Sequence, residues 1–169
     1  PVENVFEKKK ELTKEQKVEA GKFYDQFRKL EIAPTPELDE IIATLNNIKE
    51  AGGPNVFKEA KVKAAAENRP FSEGYFNGEE VKQYPSPESW DYIKRGLDKI
   101  IDNSFEGGFR PTDDTRVYTS LKNKLIDAID NHPDPNVAGV WKQARDAYAS
   151  RAKLKDRKST RLNSSHMSE

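Results

Sequence analysis

Apolar residues recur at helical spacing along most of the chain. The clearest stripe runs from Pro85 to Asn103, where Trp90, Ile93, Leu97, Ile100 and Ile101 fall at intervals of 3, 4, 3 and 1. That is one face of a helix of period 3.6. Ser86, Pro87 and Glu88 supply an N-cap hydroxyl, a first-turn proline and an acid at the positive end of the helix dipole. Asp91, Lys94, Arg95, Asp98 and Lys99 fall on the other faces, where charge pairing contributes only tenths of a kcal/mol. Gly96 lies inside this helix. It is either the site of a close helix crossing or a tolerated exposed glycine.

Other segments repeat the pattern. Thr13 and Gln16 form a capping-box signal ahead of Ala20, Phe23, Tyr24, Phe27 and Leu30, and Pro34 and Pro36 end that helix. Thr35-Pro-Glu37 restarts the chain with the same start signal as Ser86-Pro-Glu88. Leu38, Ile41, Ile42, Leu45 and Ile48 follow as the strongest aliphatic stripe, stopped by Gly52-Gly-Pro54. Asn55 to Asn68 reads as a modest helix with Phe57, Ala60, Ala64 and Ala65 on one side. Lys58, Lys61, Lys63 and Glu67 make its solvated side, and propensity rather than burial is expected to hold it. Thr112-Asp-Asp114 caps a helix carrying Val117, Tyr118, Leu121, Leu125, Ala128 and Ile129, which Asn131-His-Pro133 ends. Asp134-Pro135 opens the last one, with Val137, Val140, Trp141, Ala144, Ala147 and Tyr148. The last three helices are joined by short connections and should pack antiparallel, with Trp90 and Trp141 as anchors of one core.

Two connectors differ in texture. Residues 69–86 carry Pro70, Gly74, Gly78 and Pro85 among the aromatics Phe71, Tyr75, Phe76 and Tyr84. Asn77-Gly78 is a type I′ turn signal that would pair Tyr75-Phe76 with Val81-Lys82 in a short hairpin. The alternative is a long loop whose aromatics pack onto the bundle, and this is the strongest candidate for an interaction loop. Ser104 to Pro111, with Gly107-Gly108, reads as a flexible connector.

The fold class predicted is therefore all-α: an antiparallel bundle of five to six amphipathic helices with a Gly/Pro/aromatic loop at 69–86. Its organisation is a charged lead-in at 1–13, N-terminal helices at 14–68, the loop, a three-helix unit at 87–155 and a tail at 156–169. Residues Asp156 to His166 read like the translation of a common short-read sequencing adapter, so 156–169 is expected to be a non-native, disordered tail. The chain opens on Pro1, which predicts an internal fragment of a longer protein.

Composition narrows the function. Only 34% of the 169 residues are hydrophobic, and no apolar run approaches the ~20 residues of a membrane span. The absence of cysteine removes disulfides and thiolate metal sites. Basic and acidic residues balance at 29 each, so no overall field favours nucleic acid or a membrane surface. His132 precedes a proline at a helix C-terminus, where a capping role is expected. No second histidine stands at metal-ligand spacing, and Asp113-Asp114 reads as a pair of helix N-terminal acids. No catalytic, cofactor-binding or metal-binding residue is assigned, and no cofactor or small-molecule ligand is expected.

The segment Pro87-Glu-Ser-Trp-Asp-Tyr-Ile-Lys-Arg-Gly-Leu-Asp98 resembles a recurrent stretch of long bacteriophage and prophage proteins. Their pattern is a proline, then Asp-Tyr-(Ile/Val)-Lys-Arg-(Ala/Gly)-Leu-Asp. Leu121 to Asp130 resembles a leucine-rich helix of the same proteins, and Trp141 to Ala149 resembles their Ala-Arg-x-x-Tyr-Ala close. The likeness covers Glu37 to Lys155, although the Gly-Pro-Ser run that often follows there is replaced by Ser150-Arg-Ala-Lys. It implies a phage-encoded chain, often a very large multidomain one, and no known catalytic residues, so none are carried over. The expected role is a non-catalytic structural or interaction module, virion-associated or injected, whose partner is another protein or the rest of its parent chain. The alternative is an accessory scaffold or linker of a large phage enzyme, such as a cell-wall-degrading or peptidase-bearing one.

Overall fold

A computed structural model describes residues 25–26 and 28–146. The capping signal at Thr13, the aromatic stripe through Phe27, the end of the last helix and the 156–169 tail lie outside the described residues. The chain is an all-α bundle. Its helices are α1 (Pro36–Glu50), α2 (Val56–Ala66), a single turn α3 (Glu73–Phe76), α4 (Pro87–Asn103), α5 (Asp113–Asp130) and α6 (135–146). Residues 25–26 and 28–29 are also helical.

Start signals read from the sequence act as side-chain caps. The Thr35, Ser86 and Thr112 hydroxyls accept from the backbone N–H of Leu38, Ser89 and Thr115, and the Asn55 side chain accepts from that of Lys58. Stops follow one geometry three times. At Gly52, Asn68 and Gly78 the backbone turns left-handed, and the N–H groups there and one residue on reach back to the last helical carbonyls. This is the Schellman closure, and it satisfies carbonyls that a helix end would otherwise leave unpaired.

That closure overturns the hairpin considered for 69–86. Asn77 has φ −93, whereas a type I′ turn needs positive φ at both central residues. Gly78 instead ends α3, with Gly78 N–H on the Tyr75 carbonyl at 3.4 Å and Glu79 N–H on that of Gly74 at 2.9 Å. The aromatics of the segment pack inward. Phe76 is wholly buried, with its ring 5.9 Å from Phe57, 5.3 Å from Phe71 and 5.0 Å from Trp90. Ser104 to Pro111 also has more order than a flexible connector. Glu106 and Arg110 form an antiparallel bridge around Gly107 and Gly108, both at positive φ.

Helix α4 is the hub, contacting α2 most extensively and then α5. Both neighbours run antiparallel to it. Asp98 meets Lys122 and Ser104 meets Thr115 on the α5 side, while Lys99 meets Glu59 and Glu88 meets Arg69 on the α2 side. One cluster of buried side chains runs from Ile32 through α1, α2, α4 and α5 to Val137 and Trp141, so the helices on both sides of the 69–86 segment share a core.

Helix α2 departs from the expectation of a modest, propensity-held helix. Val56, Phe57, Ala60 and Ala64 are buried against α4. Its backbone faces Gly96, where an added Cβ would lie 2.9 Å from the Val56 carbonyl oxygen and 3.2 Å from the Ala60 nitrogen. Gly96 is thus the close-crossing glycine. Gly96→Ala gains about 1 kcal/mol of helix propensity, but the two backbones must part to admit the methyl group. We expect a net loss of about 1–2 kcal/mol in urea unfolding. Gly139→Ala in α6, where nothing lies within 4 Å of the added carbon, should instead raise stability by about 0.5–1 kcal/mol. Equal effects of the two substitutions would reject the crossing argument.

Candidate functional site

Polar groups concentrate where α2 ends and α4 begins. Residues 87–93 of α4 are all buried, including Glu88, Ser89 and Asp91. Asp91 is thus buried although its spacing places it on a face away from the apolar stripe. Segment 69–72 and the end of α2 lie against the first turns of α4, so the helix has no free side there. Burial requires partners. The Arg69 guanidinium donates to both carboxylate oxygens of Glu88. The hydroxyl of Ser89 donates to that of Ser72, and the Ser72 N–H donates to Ser89. Glu67, read from the sequence as a surface acid, accepts from the Tyr92 hydroxyl and from two nitrogens of Arg95 at 3.1 and 2.7 Å.

Tyr92 and Asp91 titrate accordingly. Burial, followed by the hydrogen bond to Glu67, raises the Tyr92 phenol above its ordinary range, so it stays a donor. Burial moves the Asp91 carboxyl from 3.8 to about 6; Lys94 and Arg95 pull it down while Glu67 and Asp98 push it further up. The Arg95 Nε stands 3.9 Å from Asp91, too far for a hydrogen bond and too weak a pull to offset desolvation.

A carboxyl raised in this way makes the folded chain bind a proton more tightly than the unfolded chain. Its contribution to stability is fully present below pH 3.8, falls as pH rises towards 6, and stays low above that. Asp91→Asn removes the penalty and should add about 2–3 kcal/mol at pH 8 with little change at pH 3.5. Urea titrations at the two pH values check this. Equal shifts at both would mean that Asp91 is not the titrating group.

The remaining candidate residues have structural positions. His132 is buried, its Nε2 3.0 Å from the Ala33 carbonyl oxygen and its Nδ1 accepting from the Asp134 N–H at 3.1 Å. The ring ties the end of α5 to the segment entering α1. Asp113 and Asp114 occupy the first turn of α5, and Asp113 pairs with Arg116 at 2.7 Å. The capping box of α5 is closed by the hydroxyls of Thr112 and Thr115, without either aspartate. Among the described residues no group of three or more His, Asp or Glu is placed to hold a metal, and no helix is long and apolar enough to cross a membrane.

Two surface features stand out. A groove of about 450 Å³ lies between α1 and α5. Ile41, Leu121 and Ala128 give it an apolar lining, and the exposed Glu37, Glu40 and Asp127 lie around them with Lys124. At the other end of α5, Phe109 is 93% exposed on the Glu106–Arg110 turn. The sequence marked this turn only by its two glycines. It gave no signal for the groove, because α1 and α5 are brought together only by the fold.

A comparison of the chain with protein-family models, with curated proteins and with solved structures returns no match.

Proposed function

We propose that this chain is a non-catalytic helical interaction module that works through its surfaces. The observation that carries this reading is the use made of its buried polar groups. Glu88 is committed to Arg69, Ser89 to Ser72, and Tyr92 and Arg95 to Glu67, which joins α4 to the end of α2 and the segment after it. Among the described residues the one carboxyl shifted towards neutrality, Asp91, is 7% exposed and is absent from the lining of the α1–α5 groove. General acid–base work needs such a group within reach of a substrate. The resemblance of Glu37–Lys155 to segments of long phage and prophage proteins extends the reading to a virion-associated or injected protein. Balanced charge makes a protein, or the rest of the parent chain, a better partner than nucleic acid.

Recovery of the DNA on both sides of the coding stretch tests this. A frame that continues into further helical sequence beside capsid, portal or tail genes is the expected result. A frame that runs into a catalytic domain would make the chain an accessory segment of an enzyme.

A further inference from the structure

The Phe109 turn combines two properties that seldom coincide: its aromatic ring lies almost wholly in water, yet its backbone is fixed. Glu106 and Arg110 exchange backbone hydrogen bonds at 2.8 and 3.1 Å, and the Phe109 N–H donates to the Glu106 carbonyl at 3.3 Å. Gly107 and Gly108, at φ 62 and 78, supply the left-handed geometry that the tight turn needs. Below the turn, the Ser104 hydroxyl donates to that of Thr115 at 2.7 Å and the Thr112 hydroxyl donates to the Ser104 carbonyl at 2.9 Å. A turn presented this way has little backbone entropy left to lose on docking, which leaves only the two side-chain torsions of the ring to be ordered.

The same chain carries a receptor of matching chemistry. The α1–α5 groove has an apolar lining and three acids, Glu37, Glu40 and Asp127, with one cation, Lys124. Phe109 is flanked in the turn by Arg110 and Glu106, so the cation can meet the acids and the acid can meet Lys124. The two features lie at opposite ends of α5. From Asp113 to Asp127 the axis rises about 20 Å, so the turn cannot fill its own groove.

We propose that the Phe109 turn of one copy seats in the α1–α5 groove of a second copy, head to tail. Such an interface is heterologous: each copy keeps one free turn and one free groove, and the assembly grows unless the rotation closes a ring. The inference rests on the interaction-module reading and names the partner as a second copy of this chain. A single anchor on a small contact makes the association weak.

Sedimentation of the full chain tests the proposal. The mass should rise above the 19.3 kDa monomer and keep rising towards about 1 mM protein. Phe109→Ser, at a side chain free of the core, should abolish the rise without moving the thermal midpoint. The double variant Glu37→Lys/Glu40→Lys, at exposed positions, should also abolish the rise, with a small drop in thermal midpoint from losing the first-turn acid of α1, and adding Arg110→Glu to it should restore association. Mixing the Phe109→Ser chain with the Glu37→Lys/Glu40→Lys chain should give a 1:1 dimer of twice the monomer mass and nothing larger. The first has only a working groove and the second only a working turn. A wild-type chain that stays monomeric, a Phe109→Ser chain that associates like wild type, or variants that do not recombine would each overturn the proposal. A monomeric result leaves the interaction-module reading to the flanking-frame experiment. A catalytic frame removes that reading whatever the oligomeric state.

Discussion

Replacing Trp90 by alanine is expected to cost about 4 kcal/mol of folding stability, much of what a domain of this size has. Trp90 has no exposed surface and sits in the second turn of the hub helix. Phe76 stands edge-on to it at 5.0 Å and 87°, and Tyr75 at 6.2 Å and 71°. Phe76 in turn stacks on Phe71 and Phe57, so the indole joins α4 to the 69–86 segment and to α2. The cavity left by alanine cannot close easily. The Gly96 crossing and the Arg69–Glu88 pair hold the walls apart, and a void that persists adds to the lost transfer energy. Trp90→Phe should cost far less than alanine, because it keeps a ring there and removes an indole N–H that is buried without an acceptor. Urea unfolding of the three chains checks the order. A loss under about 1.5 kcal/mol for alanine would mean that the 69–86 segment folds down to fill the space.

Much of this core was legible in the sequence because it is written locally. A cap hydroxyl, a first-turn proline and an apolar residue every third or fourth position involve neighbours in the chain, and Thr35, Ser86 and Thr112 all act as read. Gly96 was legible as a question, and only the arrival of Val56 and Ala60 across the crossing answers it. Asn77-Gly78 left two readings open because the dipeptide suits two geometries, and of these the segment whose aromatics pack onto the bundle holds. The single helical turn before it decides that the glycine closes a helix rather than a hairpin.

The polar arrangement was the least legible part. Asp91 lies among Lys94, Arg95 and Asp98 in a pattern that reads as a wet helix face. It is nevertheless buried, and it feels the charge of Glu67, at the end of α2 and more than twenty residues earlier. The same holds for Glu67, whose partners Tyr92 and Arg95 are 25 and 28 residues away. Periodicity reports which residues share a face, not what covers that face. For the same reason neither the groove nor the exposure of Phe109 could be read from the chain.

Arg69→Met should cost about 3 kcal/mol, through the carboxylate it leaves behind rather than the contact it removes. The Glu88 side chain is 10% exposed and that of Arg69 25%, so neither charge can regain much water in the folded chain. Both carboxylate oxygens of Glu88 accept from the guanidinium, a fork that no other residue type reproduces. Glu88 keeps the help of the α4 helix dipole when Arg69 is gone, which moderates the loss. Methionine retains the apolar bulk of the arginine stem, so the measured change isolates the charge. Glu88→Gln should cost less, since its amide oxygen still accepts one of the two bonds. The double variant Arg69→Met/Glu88→Gln should recover about 2 kcal/mol of the summed losses, because it leaves no charge stranded. Strict additivity of the two single changes would show that the pair is decorative, and that packing alone holds the end of α2 on the start of α4.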